Sequence, residues 1–140
     1  MDKEFIPYKQ ALALKELGFD EPCIGWYNPQ VNYKKVTTDK YWAFHLTGEW
    51  ENFKPAPLYQ QAFQWFREKY GVFSWLTKHR FNTTTSLGNK EYYRWALEHE
   101  VVTSEPHINS EIIYSAKEFE TYEEAEQACL DKLIEIIKNK

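Results

Sequence analysis

Apolar residues recur along this chain with two periods, one helical and one alternating, and most stretches end in recognisable punctuation. Tyr8, Ala11, Leu12, Leu14 and Leu17 fall close to one face of a helix over residues 7–17. Gly18 suits the left-handed position after the last turn, and Phe19 suits the apolar contact that accompanies a Schellman stop. Beyond the turn Asp20-Glu21-Pro22, residues 23–27 and 41–46 read as strands, bounded by Asn28-Pro29 and Thr37-Thr38-Asp39. Residues 31–36 between them read equally as strand or as loop. A second helix places Leu58, Tyr59, Ala62, Phe63, Phe66 and Tyr70 on one face, with Pro55 and Pro57 at or before its first turn and Gly71 closing it.

Residues 72–81 and 91–99 follow as two strands of a long hairpin, joined by a polar stretch from Asn82 to Lys90. Matching the alternation of Phe73, Trp75, Thr77, His79 and Phe81 to that of His99, Leu97, Trp95, Tyr93 and Glu91 sets a register. The other face of the hairpin then pairs Leu76 with Ala96, Lys78 with Arg94 and Arg80 with Tyr92. Residues 111–117 form a weaker strand after the Pro106 loop. Thr121-Tyr122-Glu123-Glu124 fits a capping box and opens a last helix that runs to the C-terminus. This helix keeps a helical period at Tyr122, Ala125, Cys129, Leu133 and Ile136, and its late lysines suit the negative end of the helix dipole.

The order helix, strand, strand, helix, hairpin, strand, helix lacks the regular alternation of a parallel doubly wound fold. It predicts an α+β protein: a mainly antiparallel sheet of about four to five strands with three helices packed on it, as a single globular domain over residues 1–140. Helices would cover one face of such a sheet and leave the other partly open.

Composition sharpens this picture at one point. Hydrophobic residues at 43% and charged residues at 27% are ordinary for a folded domain, but 18% aromatic residues, with six Trp, ten Tyr and nine Phe, is a marked excess. Trp26-Tyr27, Tyr41-Trp42 and Tyr92-Tyr93-Arg94-Trp95 place rings on both faces of their strands, so part of the excess faces away from the helices. A net charge of −4 lacks the basic field that generic nucleic-acid binding requires. No apolar run reaches the roughly 18 residues of a membrane span, and Met1-Asp2-Lys3-Glu4-Phe5 is no signal peptide, so a cytoplasmic protein with no membrane partner is expected. Cys23 and Cys129 lie far apart without ligand spacing and are expected to be free thiols.

Three blocks, Gln10 to Cys23, Pro57 to Tyr70 and Thr121 to Leu130, resemble small hypothetical proteins of bacteriophages and prophages of Bacteroides-type bacteria. The resemblance implies a setting inside a host cell and brings no activity or catalytic residue with it.

Candidate chemistry is sparse. No nucleophile elbow, Walker loop, dinucleotide fingerprint, zinc-protease helix or calcium loop is present. His45, His79, His99 and His107 show no helical pairing; His79 and His99 could share a hairpin face, although single satisfied histidines on a half-exposed sheet are the commoner arrangement. Glu49 and Glu51 flank Trp50 as alternate residues of a polar stretch, a pattern any solvated loop shows. The predicted register instead brings Lys78, Arg80, Tyr92 and Arg94 together as a small cationic and aromatic patch for an acidic group. The reading is a non-enzymatic binding protein that contacts a protein or small molecule, with no cofactor or metal. The alternatives are a small enzyme using His or Glu in an aromatic-lined pocket, and a structural subunit marked by a self-complementary patch.

Overall fold

The structure, a computed structural model, describes residues 2–28, 32–38, 53–81, 90–102 and 108–140. The chain divides into two compact units, Met1–Ala62 and Phe63–Lys140. After a 3₁₀ turn at Asp2–Glu4, the first unit holds helix α1 (Tyr8–Glu16) and strands β1 (Gly25–Asn28), β2 (Asn32–Thr37) and β3 (Lys54–Ala56). Helix α2 (Tyr59–Tyr70) begins in the first unit and continues into the second. The second unit adds β4 (Phe73–Phe81), β5 (Lys90–Val102), β6 (Ile108–Tyr114) and α3 (Tyr122–Lys138).

Helix α1 stops by the mechanism its sequence predicts. Gly18 adopts a φ of 96°, its N–H donates to Lys15 O at 3.0 Å, and the Phe19 N–H donates to Leu14 O at 3.0 Å. Phe19 and Leu14, the residues joined by that outer bond, are both buried. The sheet of this unit has the antiparallel order β2-β1-β3, with Trp26 opposite both Thr37 and Pro55 and an irregularity between Tyr27 and Asn28. Residues 32–36 of the ambiguous segment are thus strand, which runs one residue into the expected boundary at Thr37. Pro55 precedes α2 as expected and sits in edge strand β3, where strand prolines are tolerated. Gly25 is required by space: a Cβ there would lie 2.5 Å from Val36 Cγ1 and 2.7 Å from Phe5 Cε1. The buried Tyr27 hydroxyl donates to Ile6 O at 2.6 Å.

The second unit is an antiparallel sheet in the order β4-β5-β6 with α3 packed on β5 and β4. The α+β class is therefore observed, but the described residues form two three-stranded sheets and not one sheet of four to five strands. The reason is that β1 has β2 and β3 on its two sides while β5 has β4 and β6 on its own, so each central strand is filled by neighbours from its own unit. The predicted strand over 41–46 lies outside the described residues. Thr121 Oγ1 accepts from the Glu124 N–H at 3.2 Å, the N-cap bond of the expected capping box of α3. Ala125, Cys129, Leu130, Leu133, Ile134 and Ile137 form the buried stripe of that helix.

Candidate functional site

The register of the hairpin decides which side chains share a face. The observed pairing sets Phe73 opposite Glu98, Trp75 opposite Ala96, Thr77 opposite Arg94, His79 opposite Tyr92 and Arg80 opposite Glu91, one residue away from the predicted alignment. Directly paired residues point to the same side of a sheet, so a slip of one exchanges the faces of one strand relative to the other. Lys78 and Arg80 therefore lie with Glu91 and Tyr93, whereas Tyr92 and Arg94 lie with Thr77 and His79 on the opposite face.

The expected patch of Lys78, Arg80, Tyr92 and Arg94 does not exist as one surface. Lys78 Nζ pairs with Glu91 at 2.9 Å and Arg80 Nε with the same carboxylate at 3.0 Å. The Lys78 hydrogen bond, aided by Arg80, holds the Glu91 carboxyl below its usual range. On the other face the His79 and Tyr92 rings stack at 5.1 Å with 14° between planes, and the Arg94 guanidinium lies 5.7 Å from the Tyr92 ring centre. Arg94 also donates to Glu118 at 2.8 Å. The like-charge opposition of Lys78 and Arg94 is absent because the two never face each other.

The slip has a physical cause. The predicted register sets the bulkiest alternating set of β4 against the bulkiest set of β5, as if both faced the core. In the fold Ser74, Leu76, Tyr93, Trp95 and Leu97 face α3: Ser74 hydrogen-bonds the Cys129 thiol, and the Tyr93 ring meets Tyr122 edge-on at 6.0 Å. The large rings of β4 point away from the helix.

The result is an open face with an apolar centre. Register joins Trp75, Ala96 and Tyr114 in one row across the three strands, and Phe73, Glu98 and Ile112 in the next. Phe73 is 51% exposed, Trp75 36%, Ile112 43% and Tyr114 65%. Singly exposed apolar residues are common, but four on adjacent rows of one sheet face form a patch of the kind that marks contact surfaces. Sequence reasoning missed Phe73, Ile112 and Tyr114. The signals were there in Phe73 and Trp75 alternating outside a strand that also carries Leu76, and in the adjacent Ile112-Ile113, which must point to opposite faces.

The remaining candidates do not converge. His79 and His99 lie on opposite faces, with His99 paired to Glu111 across the ladder and its Nε2 3.5 Å from that carboxylate. His99 Nδ1 is buried with no hydrogen-bond partner among the described residues. No group of three or more His, Cys, Asp or Glu among the described residues is placed to hold a metal ion. Glu49, Glu51, His45, His107, Tyr41 and Trp42 lie outside the described residues. Tyr27 is buried, and Trp26 beside it is half-buried. Cys23 and Cys129 are both free, with thiols pushed up by burial to about 11 and about 12. A groove of about 360 Å³ is lined by Gly71, Phe73, Glu98, His99, Glu100 and Ser110 at one end of the open face. No helix among the described residues is long and apolar enough to cross a membrane. Comparison with known protein families, with curated proteins and with solved structures finds no match.

Proposed function

We propose that this chain is a non-enzymatic binding protein whose contact surface is the open face of the second sheet. The observation that carries the reading is the pair of adjacent rows holding Phe73, Trp75, Ile112 and Tyr114, on the side of the sheet away from α3. Aromatic side chains dominate the energetics of contact surfaces because each buries a large area at little cost in rotamer entropy. The apolar and aromatic character of the face fits a protein surface or a small apolar molecule, while the acidic net charge works against generic nucleic-acid binding. A cytoplasmic setting is in keeping with two free thiols, and a phage or prophage origin rests on the resemblance of the three sequence blocks.

Affinity capture from a Bacteroides-type host lysate, run in parallel with wild type and a Trp75→Lys/Tyr114→Lys variant, tests the reading. The expected result is that proteins retained by wild type are lost with the folded variant. Retention of the same host proteins by both chains overturns it.

A further inference from the structure

We propose that the occupant of the open face is a second copy of this chain, seated face to face with β5 antiparallel to β5 about a two-fold axis that crosses the strand at Ala96. The inference rests on the contact-face reading and adds the partner. Charge is ordered along β5. On the open side this strand presents Lys90, Tyr92, Arg94, Ala96, Glu98 and Glu100 in sequence, because alternate residues share a face. Cations occupy one end, carboxylates the other, and the smallest side chain lies between them.

Arg94 and Glu98 are equidistant from Ala96, at two residues or roughly 6.6 Å on either side. A two-fold axis in the plane of the interface and across the strands sends each position to its mirror position on the other copy. Arg94 of one copy then lies over Glu98 of the other, twice. Glu100 falls over Tyr92, between Lys90 and Arg94 of the opposite copy. The alternative axis, along the strands, stacks Arg94 on Arg94 and Glu98 on Glu98, which charge repulsion excludes. Although Arg94 already binds Glu118, a guanidinium has five N–H donors and accommodates a second carboxylate.

The apolar residues obey the same symmetry. The row Trp75, Ala96, Tyr114 lies on the axis and meets its own image, so two exposed rings per copy are covered together. Ala96 is itself buried and adds no bulk of its own on the axis, so the contact there falls to the two rings that flank it. The face is three strands wide and about seven residues long, roughly 14 Å by 23 Å in projection. That is roughly 320 Å² of projected area per copy, below the standard size of stable interfaces, and fits a weak, reversible association seen only at high concentration.

Sedimentation velocity on the full chain, from about 1 to about 300 µM, tests the proposal. The expected result is a mass that rises from one 16.8 kDa chain towards two as concentration increases. Glu98→Arg, with its fold confirmed by circular dichroism, should weaken self-association by roughly tenfold or more. Glu135→Arg, the same charge change on α3, should leave it unaltered. A chain that stays monomeric throughout, or a dimer indifferent to Glu98→Arg, overturns the second copy as occupant. A monomer whose capture of other proteins still depends on Trp75 and Tyr114 overturns this inference alone; if capture is also independent of them, the contact-face reading fails with it.

Discussion

At the residue scale, Glu126 is the most perturbed carboxyl among the described residues. It stands half-buried on α3, where burial first and the neighbouring Glu123 second push its carboxyl up to about 7, against a hydrogen bond from Tyr122 that lowers it. A carboxyl raised in the folded state binds more protons folded than unfolded between its two pKa values. Its contribution to stability is therefore complete below the ordinary value of 4.5 and is lost as pH rises through about 7. Glu126→Gln removes the penalty. Urea unfolding should find the variant more stable than wild type at about pH 8, with the difference closing towards about pH 4; a gap that is constant with pH would contradict the assignment. Nothing in the helical period signals this, because Glu126 lies one turn from Tyr122 on a surface that the pattern alone reads as solvated.

At the element scale, local chemistry proved legible and pairing did not. Thr121 and Glu124 announce the start of α3, and Gly18 with Phe19 announces the end of α1, because each motif satisfies backbone groups within a few residues. Thr121→Ala should cost about 1 kcal/mol in chemical unfolding, the usual loss for an N-cap oxygen. An unchanged midpoint would show that the cap bond contributes nothing in solution. The hairpin register depended on a non-local fact, namely that α3 brings Cys129 against Ser74 and not against the larger Phe73 or Trp75. Alternation tells which residues share a face and is silent on which face is covered. That one-residue error dismantled the expected patch of Lys78, Arg80, Tyr92 and Arg94 and, corrected, exposed the apolar rows that replaced it. The division into two sheets was hidden for a similar reason, since nothing local in Lys54-Pro55-Ala56 announces a strand and only its pairing opposite Trp26 makes it one.

At the scale of the whole molecule, the aromatic excess separates into two uses. Among the described residues Trp65, Phe66 and Trp95 are buried, whereas Phe73, Trp75 and Tyr114 are exposed on the open face. The central claim is that this face serves contact and not folding, and equilibrium urea unfolding tests it without any knowledge of the partner. At low micromolar concentration Phe73→Thr, Ile112→Thr and Tyr114→Thr should each change stability by only about 0.5 kcal/mol, while Leu97→Ala on the covered side should lose roughly 2 to 5 kcal/mol. Open-face substitutions that destabilise as much as Leu97→Ala would show these residues to be core and would contradict the account.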